Sequence, residues 1–147
     1  MSASEAQALA YALEFGAADT AEVREWAFAQ IAAAEDPGDD LLELVTARHL
    51  ADAVTRLHRL GRDACGAEVG RLVYRAMLTA VRHGSLGHER AAAAVVRLAR
   101  ESSSPTPEAE SESWDFDDAF DLARQQIYGT IESVCAEVEA HLQKFAA

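Results

Sequence analysis

Positive charge is scarce in this chain. Its 13 lysines and arginines face 25 aspartates and glutamates, giving a net charge of −12. A balance this acidic repels nucleic acid and anionic membrane, and attracts basic protein surfaces. Lysine is almost missing: Lys144 stands alone against 12 arginines. With the excess of alanine, that usage has the look of a GC-rich bacterial coding sequence. No apolar run approaches the roughly 18 residues of a membrane span, and Met1–Glu5 carries no basic residue of a signal peptide. A cytoplasmic protein with no membrane partner is the expectation. The only cysteines, Cys65 and Cys135, read as small buried thiols in a reducing compartment. Their spacing alone cannot support a bridge.

Chemical motifs are missing as well. There is no Glu-x-x-His and no Cys-x-x-Cys, the spacings with which helical bundles and zinc sites gather ligands. His83 and His88 flank the turn Gly84–Gly87, and Glu137 lies one helical turn before His141. These histidines read as exposed turn and helix-end residues rather than ligands. No Gly-x-Ser-x-Gly occurs, which removes the usual signal of a nucleophile elbow. Gly61, Gly66 and Gly70 punctuate helices and follow no strand, so no phosphate-binding loop is indicated. The carboxylate pairs Asp39–Asp40 and Asp117–Asp118 fall where helices begin, and negative charge there complements free backbone N–H groups. No cofactor, no metal and no enzymatic activity are expected.

What the chain does have is helical pattern. Its 147 residues are half apolar, enough for one domain with its own core. A first helix is expected over Ser4–Phe15, ended by Gly16. Asp19 opens a second, with Glu22 three residues on as in a capping box. Val23, Trp26, Ala27, Phe28 and Ile31 give it a broad apolar face, with Trp26 in the core. Residues 35–40 break that helix, and Asp39 or Asp40 caps a leucine-rich one. Further helices are expected over Arg48–Leu60, Ala64–His83 and Leu86–Arg100, the first two closed by Gly61 and Gly84 and the third capped by Ser85. Residues 102–113 show no apolar face and read as an exposed flexible loop. The last helix is expected to be the longest, running unbroken from Phe116 to Phe145 along a seam that includes Phe120, Ile127, Ile131, Val138 and Leu142. The fold class is therefore all-α, an irregular bundle of six to seven helices in a single domain, 1–147, with a long C-terminal amphipathic helix.

Charge is segregated along the chain. Residues 1–50 carry a net −8, residues 51–100 a net +5 and residues 101–147 a net −9. The central arginines form two groups, Arg56, Arg59 and Arg62, then Arg71, Arg75 and Arg82. Such groups can neutralise phosphates, but Tyr74 is the only aromatic among them. Pairing with acids of the first and last helices is the preferred reading, with no nucleic-acid partner. The remaining signal is acidic surface: Glu35, Asp36, Asp39, Asp40 and Glu43 in the first third, then Asp115, Asp117 and Asp118 beside Trp114. An aromatic among acids at the edge of a flexible segment fits a docking site, the ring anchoring and the charges steering. The competing reading is that Trp114 and Phe116 staple the last helix to the core.

The run Tyr11–Gly16, then Glu22–Ala27 with its Glu-Val-x-x-Trp-Ala pattern, then Ile31, Pro37 and Leu41–Leu44, resembles the opening of small all-helical bacterial immunity proteins of toxin systems. The likeness spans residues 11–45 and rests on capping and core positions. It implies a cytoplasmic protein that binds and blocks a cognate toxin with no chemistry of its own. The expectation is thus a non-catalytic, inhibitor-like binding module with a basic protein partner. The alternative is a self-assembling helical scaffold or regulatory protein, a homo-oligomer paired through its C-terminal helix.

Overall fold

The computed structural model describes residues 2–147, and among these every regular element is helical. Local chemistry sets the first boundaries. Ser2 caps α1 (Ala3–Phe15) by accepting from the Glu5 N–H at 3.3 Å, and Gly16 ends it at φ 86°, where a Cβ would be strained. Asp19 caps α2 (Thr20–Ala33) by accepting from the Glu22 N–H at 2.8 Å. Then follow α3 (Asp39–Leu44), α4 (Leu50–Leu60), α5 (Gly66–Arg82) and α6 (His88–Arg100). Two expected caps move. Gly38 precedes α3 in place of Asp39 or Asp40, and Gly87 precedes α6. Ser85 instead donates to the Ala80 carbonyl at 3.2 Å.

Helix α1 lies between two cores, and its sequence explains how. Ala6, Ala10 and Leu13, spaced by four and three, face a cluster holding Val23, Leu41, Leu44, Val54 and Leu57 from α2, α3 and α4. Ala8, Tyr11 and Phe15, spaced by three and four, face the larger cluster built from α5, α6 and the C-terminal segments. A helix apolar on both sides must be covered on both sides, and alanine lets its neighbours approach closely. The broad apolar face expected of α2 is only half used. Val23 and Ala27 are buried, Trp26 is half-buried, and Phe28 is 60% exposed. Cys65 is exposed at the N-terminus of α5 rather than buried.

The C-terminal third corrects two expectations. Residues 102–113 are no flexible loop. Ser103, Ser104 and Pro105 are buried. Thr106 then caps α7 (Pro107–Ser113), accepting from the Ala109 N–H at 3.0 Å, with proline in its first turn. The physical reason is on α5. A Cβ added at Gly66 would sit 2.4 Å from the Ser102 carbonyl oxygen, and one at Gly70 2.3 Å from that of Ser103. These two glycines, one helical turn apart, give the 102–105 backbone a seat that a search for apolar side chains does not detect.

Nor is there one long last helix. A 3₁₀ turn at Trp114–Phe116 leads to α8 (Ala119–Arg124), and α9 covers only Ile131–Phe145, shorter than α5. Between them Gln126 (φ 57°) and Gly129 (φ 72°) are left-handed. Thr130 and Ser133 then form a reciprocal capping box that starts α9. The seam continues in sequence but not in space: Ile127 is 66% and Ile131 42% exposed. The bundle thus has nine α-helical segments among the described residues, not six or seven.

The glycine seat makes a prediction. Gly70→Ala is expected to lower unfolding stability by about 1–3 kcal/mol, overpacking outweighing alanine's better helix propensity. Gly38→Ala, where a Cβ meets nothing within 4 Å, removes only the N-cap preference of α3 and is expected to cost less, under about 1 kcal/mol. Urea titrations of the two variants decide the point. Equal stability would remove the seat.

Candidate partner-binding surface

The sequence-predicted acids fall into two groups on different halves of the molecule. The first lies on and before α3, whose Leu41 and Leu44 anchor it in the α2–α4 core. Asp40 and Glu43 do not face solvent as free charges. Arg56 on α4 pairs with both, at 3.1 Å to Asp40, and Arg59 reaches Asp40 at 3.6 Å. Glu35, Asp36 and Asp39 are exposed and make no ion pair among the described residues. The negative edge offered outward is therefore the α2–α3 turn and the first residue of α3. Leu42, exposed beside it, adds an apolar contact.

The second group follows α7 and belongs to the other core. Asp117 pairs with Arg100 on α6 at 3.4 Å. Asp115 and Asp118 are exposed and unpaired. The two competing readings of the aromatics divide between the two rings. Phe116 is half-buried, meeting the His141 ring edge-on with centroids 5.2 Å apart, so it staples. Trp114 is 43% exposed, so it does not.

The arginines are mostly spent inside the chain. Besides Arg56, Arg59 and Arg100, Arg97 pairs with Glu14 of α1 at 2.9 Å and lies over the Phe15 ring at 5.4 Å. Burial lowers its pKa, but the Glu14 contact outweighs that and the net direction is up. Arg75 and Arg82 do reach the last helix, though not its acids: Arg75 donates to the Ala146 carbonyl at 2.7 Å and Arg82 to the Gln143 side-chain amide.

A site that sequence spacing did not disclose lies where α5, α7 and α9 meet. Tyr74, Ser113 and His141 are all buried, with His141 only 4% exposed, contrary to its expected place at an exposed helix end. The Tyr74 hydroxyl is 2.8 Å from His141 Nε2, and His141 Nδ1 is 3.2 Å from Glu112 Oε2. Lys144 Nζ donates to Glu108 and Glu112, each at 2.9 Å. One proton arrangement satisfies the set. Tyr74 donates to Nε2, Nδ1–H donates to the Glu112 carboxylate, and Ser113 donates to the Ala109 carbonyl at 2.6 Å. Burial pushes the Tyr74 phenol up to about 12, which keeps it a donor. Lys144 and His141 hold Glu112 below the usual carboxylate range, against the opposing effect of burial.

Serine, histidine and glutamate in this order suggest a nucleophile, a base and an orienting acid. The geometry does not assemble them that way. Ser113 Oγ is 3.4 Å from Nε2, its hydroxyl is taken by the backbone, and Tyr74 occupies the nearer position. With Ser113 wholly buried, no substrate carbonyl reaches it. The network is a polar clamp between three helices, every donor matched to an acceptor. Among the described residues no three His, Cys, Asp or Glu side chains converge as metal ligands, and no helix is long and apolar enough to cross a membrane. Comparison with protein-family models, curated proteins and solved structures finds no significant match to this chain.

The clamp predicts a pH dependence. Burial holds His141 below the ordinary imidazole value, only partly offset by Glu112. On acidification the unfolded chain therefore takes up this proton first. The stability it contributes is full above about pH 6.5 and is lost as the pH falls through the folded-state value. Thermal midpoints measured between about pH 7.5 and 5.5 should fall more steeply for the wild type than for His141→Gln, which cannot titrate. The variant should also be less stable at neutral pH by about 1–3 kcal/mol, since buried partners lose their mate. Parallel pH profiles would sink this account.

Proposed function

We propose that the chain is a non-catalytic protein-binding module of the immunity or inhibitor type, presenting acidic surface to a basic protein partner in the cytoplasm. The observation that carries this reading is the unequal use of charge. Arg56 and Arg59 neutralise Asp40 and Glu43 within the fold, while Glu35, Asp36, Asp39, Asp115 and Asp118 stay exposed and unpaired, the last two beside an exposed Trp114. Uncompensated charge of one sign steers a partner of the other, and a half-exposed indole supplies anchoring area. The resemblance of residues 11–45 to immunity proteins supports the same class. Basic toxins that act on nucleic acid are the kind of partner such a surface suits.

The fold narrows which acids carry the test. Reversing Asp40 or Glu43 breaks an internal ion pair, so the informative variants are Asp36→Lys with Asp39→Lys, and Asp115→Lys with Asp118→Lys. Each pair is expected to weaken binding of the salt-sensitive basic protein captured from the native lysate by on the order of tenfold, chiefly through slower association. Thermal midpoints should be unchanged. Affinity unaffected in both variants would remove the acidic-face reading.

A second reading has its own observation. Ile127 and Tyr128 in the turn before α9 are 66% and 77% exposed, next to the partly exposed Ile131. A contiguous apolar patch of this kind is a candidate seam for self-association. Sedimentation at rising concentration tests it: a dimer that Ile127→Ser with Tyr128→Ser dissolves favours the scaffold, and a concentration-independent monomer eliminates it.

A further inference from the structure

Helix α2 leans on α3 and α4 and leaves a groove between itself, α1 and α5 of about 460 Å³, within the roughly 300–1,000 Å³ range of ligand-sized clefts. Three features describe what it would accept. Its floor is apolar and shallow-sided, with Ala8, Leu9 and Ala12 from α1 and Leu72 and Ala76 from α5. Small residues at helical spacing let another backbone come close. Its wall is the half-buried Trp26, which packs against the neighbouring core and lines the groove, its indole N–H shielded from solvent. Its rim carries Glu5 and Glu22, and no basic side chain lines it. Glu22 also lies near Asp19 and Glu25, and burial together with those charges pushes its carboxyl upward, as an uncompensated anion requires.

The dimensions suit a helix. Glu22, Trp26 and Gln30 fall at i, i+4 and i+8 along α2, a line of about 12 Å at 1.5 Å per residue, or a little over two helical turns. We propose that this groove receives an amphipathic helix of the basic partner. The apolar face of that helix would lie on Leu9, Leu72, Trp26 and the alanines, and its lysines or arginines would meet Glu5 and Glu22. This is the helix-in-groove mode, where apolar anchors give affinity and flanking charge gives orientation. The inference rests on the binding-module reading and assigns it a surface away from Asp36, Asp39 and Trp114.

The test uses the full chain carrying Trp114→Phe, so that Trp26 is the only indole, and a synthetic 18-residue Leu/Ala/Lys amphipathic helical peptide. An isomer of the same composition with its pattern scrambled is the control. The patterned peptide should bind with one-to-one stoichiometry and shift the Trp26 emission, and the scrambled one should not. Ala76→Leu, which fills the groove with a good helix former, and Glu5→Lys with Glu22→Lys should each weaken binding at least tenfold. Circular dichroism confirms that these variants fold. Unmoved Trp26 emission, or wild-type affinity in Ala76→Leu, overturns the groove. If binding is then lost in Asp36→Lys with Asp39→Lys, the acidic-face reading survives and only the surface is wrong. Equal affinity for both peptides in every variant removes both. A concentration-dependent dimer that Ala76→Leu dissolves would give the groove to a second copy of the chain and overturn the proposal.

Discussion

The C-terminal half depends on the close approach of the Ser102–Pro105 backbone to α5. Gly66, Gly70 and Tyr74 lie at i, i+4 and i+8, on one face of that helix. The glycines admit the passing chain at distances no side chain would allow. The chain, so placed, delivers Thr106 to cap α7, and α7 carries Glu112 and Ser113 to Tyr74 and His141. The seat works together with direct packing of α7 on α6 and α9. One stretch of backbone contact thus helps place α7 and the Glu112 that faces a buried histidine.

The first hundred residues are legible from sequence because their signals are local. Gly16, Asp19, Pro37 and Gly61 each act within one turn, and the helices they bound lie close to the expected positions. The last third resists for two distinct reasons. Residues 102–113 look like a linker because their own side chains are polar, while the surface that seats residues 102–105 is glycine backbone more than thirty residues earlier in the chain. The seam from Phe116 to Phe145 looks continuous because apolar spacing persists through Ile127 and Ile131. The Gly129–Thr130–Ser133 stop-and-start signal was there to be weighed against it, and the chain obeys that signal. The buried clamp left no periodic trace at all, since its members come from three helices joined only by the fold.

Charge follows the same division between internal and external use. Much of the central excess of arginine is engaged within the fold. Arg56 and Arg59 hold α3 on α4, Arg97 holds α6 on α1, and Arg100 holds the 3₁₀ turn on α6. Exposed pairs of this sort contribute little to stability singly. Their larger effect is to decide which carboxylates remain available. Among the carboxylates this leaves unpaired are those of the α2–α3 turn, the Trp114 segment and the rim of the α1–α2–α5 groove.

Departures from the expected pattern differ in what they leave behind. The 102–113 segment is built in: Ser103, Ser104 and Ser113 are buried, its helix is capped and its histidine partner is hydrogen-bonded, with Ser104 Oγ alone left without a partner. That departure is architecture. Trp26 is half-buried, packed on the core of α1 to α4 and lining an open groove whose rim carries carboxylates. Stability in a domain of this size is a small difference between large terms, so apolar surface left open in that groove is burial the fold forgoes. A surface that the fold leaves unfinished is where a second molecule completes it.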